Sequence, residues 1–262
     1  MNNIKFSIIT INLNDKDGLE NTVQSVIDQT YKNFEFIVVD GGSTDKSVDI
    51  IEKYRDRISY WVSEKDSGIY NAMNKGIKKA KGEYCFFLNS RDVLFDKNVL
   101  QKIADSNPTE DIIFGDIIKI YKNENVYVKY ERKISLYYLS YTTIWHQASL
   151  IKTELFDTLG LYNENYKIAS DWDYWLKSLI VNKCSNKYLA FPFSIFDTTG
   201  IGSDDKQSKA IANERKSIFL SYFSNFQYKY FLNLRRLEKS LLWRVFRKIK
   251  KLVDKEQNIN KH

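Results

Sequence analysis

The residues best suited to chemistry stand where apolar, strand-like runs of the sequence end. In chain order they are Asn12, Asp40, Asp66 and the run Asn89-Ser90-Arg91-Asp92. Where strands alternate with helices in a parallel sheet, the carboxyl ends meet at one edge, and ligands bind beyond it. Gly41 and Gly42 follow Asp40 and let backbone N–H groups approach a ligand closely. The sequence therefore predicts a polar binding edge made of four strand–helix corners.

A second group of reactive side chains stands later in the chain. Ser170-Asp171-Trp172-Asp173 places two carboxylates two residues apart at a predicted helix start. A carboxylate in such a place can act as a general base, although Ser and Asp also serve there as simple helix caps. Trp145-His146-Gln147 contains one of only two histidines, and a lone histidine is more often structural than functional.

The elements that must position these residues follow an alternating pattern. Apolar runs predict strands over 6–11, 34–39, 58–63, 84–88 and 111–114, and helical spacing predicts helices over 19–29, 70–80 and 100–104 with one more after 43–45. Central strands that are apolar on both faces indicate a mostly parallel sheet flanked by helices, an α/β fold. The glycines form neither a G-x-G-x-x-G fingerprint nor a P-loop. Further on, the pattern predicts a hairpin over 116–131 and helices at 152–159 and from 170.

Composition and charge limit the classes of function that the chain can have. The chain has 262 residues, 43% of them hydrophobic, and its two cysteines, Cys85 and Cys184, have no metal-site spacing. We therefore expect a reducing compartment, and we predict neither an N-terminal signal nor a membrane span. The net charge of +7 comes from residues 206–262, which contain 15 Lys/Arg and 4 Asp/Glu. The rest of the chain is mildly acidic, which argues against a nucleic-acid-binding domain.

The basic C-terminal segment has an amphipathic helical pattern. Its apolar positions are Leu234, Leu237, Leu241, Val245, Ile249 and Leu252, with Leu242 and Phe246 beside them. Because the polar face is almost entirely positive, we favour an anionic membrane surface as its partner. The alternative is a helix packed on its own domain or on a second subunit, and a homodimer stays open.

Several motifs in order resemble those of the family-2 glycosyltransferases of the GT-A fold. They are SIITINLND, VVDGGSTD, DSGIYNAMNKG, AKGEYCFFLNSRD and SDWDYW. The resemblance implies that Thr10, Asn12, Asp40 and Asp66 contact the nucleotide of a sugar donor, a UDP-sugar being favoured. Asn74 and Lys75 match the family's N-K-G and join the donor-binding set.

The run before Asp92 corresponds to the family's DxD element, which implies a divalent ion bound to the donor diphosphate. Asp92 is the charged ligand, and Mn²⁺ or Mg²⁺ would take its other oxygens from the diphosphate and water. Asn89, Ser90 and Arg91 belong to the donor side, with weak metal dependence expected. Arg91 either points away as a surface residue or replaces part of the ion's charge, and the first reading is favoured.

The resemblance also implies an inverting transfer with Asp171 as the base, Asp173 as the second choice, and His146, Gln147 and Trp172 on the acceptor side. We expect residues 1–205 to form the GT-A domain, with a nucleotide-sugar half at 1–115 and an acceptor half at 116–205, followed by a basic helical tail at 206–262. The expected acceptor is a polyisoprenoid-linked glycan at the cytoplasmic face of the cell membrane, in O-antigen or capsule assembly. The alternative is a catalytically weak nucleotide-sugar-binding scaffold subunit.

Overall fold

The computed structural model describes residues 4–121, 124–131, 133–198 and 205–240. The strands are β1 Phe6–Asn12, β2 Phe34–Asp40, β3 Tyr60–Ser63, β4 Tyr84–Phe87, β5 Val93–Leu94, β6 Ile112–Ile120, β7 Asn125–Val128, β8 Ser149–Lys152 and β9 Asn186–Asp197. The helices are α1 Lys16–Ile27, α2 Ser47–Lys53, α3 Ile69–Ile77, α4 Val99–Asp105, α5 Leu136–Tyr141, α6 Glu154–Thr158, α7 Ser170–Trp175, α8 Asp205–Tyr222 and α9 Asn225–Lys239. Short 3₁₀ turns cover Arg55–Arg57 and His146–Ala148, and a π-helical segment, Leu176–Val181, continues α7.

The first half of the chain forms the parallel part of one sheet. Its strands lie in the order β3-β2-β1-β4, and all three neighbouring pairs are parallel. Every residue of β1 and β4 is buried, because helices cover both faces of the sheet. The predicted α/β architecture is confirmed, and the ends of β1, β2 and β3 bring Asn12, Asp40 and Ser63 side by side.

The second half extends the same sheet with mixed strand directions. β8 pairs antiparallel with β4 and β6, whereas β6 pairs parallel with β9. The predicted hairpin is confirmed by the antiparallel pairing of β6 with β7. The helix predicted over 152–159 begins only at Glu154, since β8 occupies the residues before it.

The C-terminal helices differ from the predicted separate tail. α8 buries Ile218 and Phe219 in the core of the domain, so the boundary at residue 206 does not separate two units. α9 packs on α5 through Tyr137 and Phe231, whose ring centroids lie 6.0 Å apart. Of the predicted apolar stripe, Leu237 is 60% exposed. The positions from Leu241 to Leu252 lie outside the described residues.

Candidate active site

Asp40 organises the corner that follows β2. Its carboxylate accepts hydrogen bonds from Asn12 Nδ2 at 2.7 Å, Ser63 Oγ at 2.6 Å and the Ser43 backbone N–H at 2.9 Å. Burial alone would raise the pKa of Asp40, but the hydrogen bonds from Ser43, Ser63 and Asn12 outweigh it and hold the pKa below its ordinary value. Asp40 is therefore an ionised carboxylate that shapes the corner.

Asp40 and Thr10, for which the sequence predicts donor contacts, form hydrogen bonds within the protein. Both residues are fully buried. The Thr10 hydroxyl donates to the carbonyl oxygen of Leu88 at 2.7 Å and so ties β1 to β4. Asn12 is also buried, and its Oδ1 has no hydrogen-bond partner within the described part of the chain. Of these three side chains, Asn12 keeps an unsatisfied polar atom beside the binding edge.

Asp66 lies directly over the glycine corner. A Cβ placed on Gly41 would stand 2.4 Å from Asp66 Oδ2, so only glycine leaves room for that carboxylate. Gly42 has φ of +83°, a conformation that side chains rarely adopt. Asp66 Oδ1 accepts from the Gly68 N–H at 3.0 Å. Asp66 is half-buried and lies at the corner where the sequence predicts the nucleotide.

Asn74 and Lys75, which the sequence assigns to the donor side, bind neighbouring loops of the protein. Asn74 is buried, and its amide bonds to both backbone groups of Tyr162 and to Glu164. Lys75 Nζ forms an ion pair with Glu64 at 2.8 Å and donates to the carbonyl oxygen of Lys65 at 3.2 Å. These bonds fix α3 and the loop that carries Asp66.

Arg91 is bound to Asp15, at the turn that precedes α1. Its guanidinium makes two hydrogen bonds to the Asp15 carboxylate, at 3.1 Å and 2.7 Å. The hydrogen bond and charge of Arg91 hold the pKa of Asp15 below its ordinary value. Ser90 Oγ also donates to Asp15 Oδ2, at 3.2 Å. Both side chains thus hold the turn before Asp92, and Arg91 does so with φ of +81°.

Asp92 stands at the predicted metal position. The carboxylate is buried and accepts from Gln147 Nε2 at 3.0 Å. Burial raises the pKa of Asp92 well above its ordinary value. Nearby Asn89 Oδ1 and Gln147 Oε1 are buried and have no hydrogen-bond partner among the described residues. Gln147, which the sequence assigns to the acceptor side, thus contacts the carboxylate at the predicted metal position.

These oxygens test the fit of a divalent ion. Mn²⁺ and Mg²⁺ prefer oxygen ligands, and Asp92 with the two unsatisfied amide oxygens supplies that donor type. No group of three or more His, Cys, Asp or Glu side chains suited to a metal occurs in the part of the chain that the structure describes. The residues present therefore fit an ion that takes its remaining ligands from a diphosphate and water.

His146 joins the Asp92 turn to Asp171. Its Nε2 lies 3.0 Å from Asn89 Nδ2, and its Nδ1 lies 3.5 Å from Asp171 Oδ2. With the amide nitrogen as donor, Nε2 accepts and Nδ1 carries the proton that faces the carboxylate. Asp171 Oδ1 accepts from the Tyr70 hydroxyl at 3.2 Å and from the Trp172 N–H at 2.8 Å. His146 thus contacts both the turn before Asp92 and Asp171, the two places where the sequence predicts reactive groups.

Asp173 and Trp172 point away from this centre. Asp173 is buried against the Tyr222 hydroxyl of α8, and burial raises the pKa of Asp173. Trp172 is also buried, and its indole N–H donates to the carbonyl oxygens of Leu139 at 2.8 Å and Thr142 at 3.2 Å. Both side chains, predicted as second-choice base and acceptor-stacking residue, are thus buried in contacts within the protein.

Tyr70 is the site residue that the sequence reading missed. It stands in the GIYNAMNKG motif, and its hydroxyl bonds to both Asp171 and the carbonyl oxygen of Ile168, at 2.6 Å from the latter. Beside it lies a cavity of about 220 Å³, lined by Ser67, Gly68, Ile69, Tyr70, Asn71, Glu164, Tyr166 and Lys167. The sequence feature that could have identified Tyr70 is its place in this motif, in the first turn of α3, close to Asp171.

The site thus combines polar side chains at the ends of the parallel strands with the Asp171 carboxylate, and His146 lies between them. The family model described as "Glycosyl transferase family 2" matches residues 7–167, and the chain belongs to that family. An uncharacterized glycosyltransferase of Mycobacterium tuberculosis (strain CDC 1551 / Oshkosh) is 31% identical over 215 residues, which cover 80% of this chain and 81% of that protein. A PGL/p-HBAD biosynthesis glycosyltransferase of Mycobacterium bovis (strain BCG / Pasteur 1173P2) is 32% identical over 175 residues, with 64% and 67% covered.

Solved structures confirm the GT-A fold. Residues 1–349 of Staphylococcus aureus TarS superpose with a TM-score of 0.66 at 20% identity, over 87% of this chain and 69% of that one. The same fragment in complex with UDP-GlcNAc gives 0.61 at 20% identity, over 75% and 59%. The mannosyltransferase PcManGT from Pyrobaculum calidifontis, in complex with GDP-Man and Mn²⁺, gives 0.60 at 14% identity, over 95% and 80%. Among the described residues, no helix is long and apolar enough to cross a membrane.

Proposed function

We propose that this glycosyltransferase moves a hexosyl or N-acetylhexosaminyl group from a UDP-sugar to a glycan hydroxyl with inversion at the anomeric carbon. The observation that carries the proposal is the His146 bridge, 3.0 Å from Asn89 and 3.5 Å from Asp171. It sets a base-capable carboxylate next to the turn that would hold the donor diphosphate. The choice of UDP is supported by TarS, which is structurally similar and has been solved with UDP and with UDP-GlcNAc.

Asp171 is the proposed general base. As the acceptor oxygen attacks the anomeric carbon from the face opposite the diphosphate, its proton passes to the carboxylate, and the bond to the leaving oxygen breaks. Tyr70 and the Trp172 N–H occupy Asp171 Oδ1, so Oδ2, which faces His146 Nδ1, is the oxygen proposed to take the proton. A single displacement of this kind produces inversion.

On the donor side, Asp66 and the Gly41 corner would contact the nucleoside, while Asp40 and Asn12 keep that corner in shape. Asp92, with the amide oxygens of Asn89 and Gln147, would hold Mn²⁺ or Mg²⁺. When bound, the ion neutralises charge that develops on the departing diphosphate. Arg91, paired with Asp15, acts by fixing the turn.

The acceptor proposal rests on the C-terminal helices. On one face of α9, Phe226, Tyr230 and Leu237 are 79%, 52% and 60% exposed. Lys229 and Arg236 are exposed beside them, and residues 206–262 contain 15 Lys/Arg. Exposed aromatic and basic groups together suit an anionic lipid surface. We therefore propose a polyisoprenyl-diphosphate-linked glycan as acceptor, at the cytoplasmic face of the membrane, in surface-polysaccharide assembly of the O-antigen or capsule type.

The test separates donor binding from transfer. UDP is titrated calorimetrically into the wild type and Asp92→Ala, with Mn²⁺ and with EDTA. Release of UDP is then measured from UDP-GlcNAc, UDP-glucose and UDP-galactose with a polyisoprenyl-diphosphate-linked N-acetylglucosamine in detergent. We expect Asp171→Asn to keep UDP affinity and to lose about 10²- to 10⁴-fold in transfer rate.

Three results would change the assignment. An unchanged transfer rate in Asp171→Asn would exclude that residue as the base. UDP affinity that does not depend on Mn²⁺ or on Asp92 would exclude the metal role. UDP binding without turnover on any acceptor would favour the scaffold alternative, which the single metal-type carboxylate at this site motivates.

A further inference from the structure

Helix α8 contacts the segment that leads into Asp171. The carboxylate of Glu214 accepts hydrogen bonds from the backbone N–H groups of Lys167, Ile168 and Ala169, at 2.7, 3.0 and 2.9 Å. These groups immediately precede α7, where backbone N–H groups have no partner within the helix. Hydrogen bonds to an ionised carboxylate are among the stronger ones in proteins. One side chain therefore fixes three consecutive peptide groups.

The same peptide segment is held from the opposite direction by Tyr70. The Tyr70 hydroxyl donates to the carbonyl oxygen of Ile168 at 2.6 Å and lies 3.2 Å from Asp171 Oδ1. Ile168 is thus bound through its N–H to Glu214 and through its C=O to the hydroxyl that also contacts Asp171. A shift of this segment would move Asp171 relative to both Tyr70 and His146.

Other contacts fix α8 against α7. Ile218 and Phe219 are buried, and Tyr222 hydrogen-bonds to Asp173. The Arg215 guanidinium lies 5.3 Å from the centroid of the Trp172 ring, within the range of a cation–π interaction. Glu214 therefore projects from a helix that is anchored to the core and cannot simply follow a displaced loop.

We infer that Glu214 is a positioning residue for Asp171 and that α8 is part of the catalytic apparatus. The inference rests on the proposed function, because it assigns Glu214 a role through the proposed base. Glu214 lies outside residues 7–167, the part of the chain that the family model matches. Since a displacement of about 1 Å can cost 10²-fold in rate, loss of the carboxylate should lower kcat by about 10- to 100-fold.

The test compares Glu214→Ala and Glu214→Gln with a matched control, Glu35→Ala. Glu35 also accepts backbone N–H groups, from Lys81 and Gly82, and it lies near the start of β2, at the opposite end of that strand from Asp40. In the UDP-release assay we expect Glu214→Ala to lower kcat with UDP affinity unchanged, and Glu214→Gln to recover only part of the rate, because Oε1 and Oε2 both accept in the wild type and glutamine keeps a single accepting oxygen. Hydrogen exchange at residues 167–171 should rise in Glu214→Ala only, and Glu35→Ala should keep kcat.

The outcomes distinguish this inference from the proposed function. If Glu214→Ala keeps kcat within about twofold while Asp171→Asn loses it, Glu214 is no positioning residue and the proposed base stands. If Glu35→Ala lowers kcat as much as Glu214→Ala, the effect is general destabilisation and the inference is wrong. If Asp171→Asn keeps the wild-type rate, the proposed base is wrong and the inference fails with it.

Discussion

Replacing Arg91 with glycine tests how the turn before Asp92 is held. Arg91 has φ of +81°, and left-handed backbone costs a non-glycine residue roughly 1–2 kcal/mol. Glycine removes that cost but loses about 0.5–1 kcal/mol more chain entropy on folding. The ion pair with Asp15, whose side chains are 39% and 21% exposed, contributes about 0.5–1 kcal/mol. The free energy of unfolding at neutral pH should therefore change by no more than about 1 kcal/mol.

The same substitution should also change how the free energy of unfolding depends on pH. Arg91 holds the pKa of Asp15 below its ordinary value of 3.8, chiefly through its hydrogen bonds. A lowered folded-state pKa stabilises the protein above the unfolded value, and that stability is lost as the pH falls through the folded-state pKa. The wild type should thus lose a stability contribution below about pH 3.8 that Arg91→Gly never had. Urea unfolding at neutral pH and below that value measures the difference.

UDP titration decides between the two roles considered for Arg91. Because the guanidinium is bound to Asp15, we expect Arg91→Gly to keep UDP affinity in Mn²⁺ within about twofold. Arg91→Lys is the control, since it keeps a positive charge but cannot make the two-pronged contact. A tenfold loss in Arg91→Gly that Arg91→Lys restores, equivalent to about 1.4 kcal/mol, would refute this reasoning and place the charge on the diphosphate.

Three further substitutions probe other contacts. A Cβ on Gly41 would stand 2.4 Å from Asp66 Oδ2, so Gly41→Ala should weaken UDP binding about tenfold, and an unchanged calorimetric affinity would contradict the placement of Asp66. Gly76→Ala meets a strand side chain at 2.5 Å and should cost about 1–3 kcal/mol in urea unfolding with UDP affinity retained. Asp173→Asn should keep the transfer rate within about twofold, because Asp173 faces Tyr222; a loss as large as that of the proposed base would overturn this.

The parallel half of the fold could be predicted because its strands are continuous apolar runs that end in polar corners. β1, β2 and β4 fall within a residue or two of the predicted runs. The mixed half gave weaker signals. β8 has only four residues, and β9 is interrupted by Pro192 at a register shift against β6. Short or irregular strands are defined by their partners, and a single sequence does not reveal those partners.

Burial decided which predicted site residues reach the binding edge. The motif predicts ligand contacts for Thr10 and Asn74, and the hydrogen bonds of both residues lie within the protein. Conversely, Arg91 pairs with Asp15, 76 residues away, and Tyr70 with Asp171, 101 residues away. Such pairings follow from the packing of α1 and α3 on the sheet, which residue types and local spacing do not encode.

The C-terminal segment shows why charge alone misplaces a boundary. The excess of Lys and Arg in residues 206–262 predicts a separate basic helical tail, but Arg215 faces Trp172 and the neighbouring Glu214 binds the backbone before Asp171. The exposed face proposed for a membrane begins only with α9, where Phe226 is 79% exposed. A short connection joins α8 to α9, and α9 begins with a capping box at Ser224. The element that would meet a lipid-linked acceptor is therefore continuous with the one that holds the proposed base, and a substitution in α8 has to be tested for catalysis and for membrane binding separately.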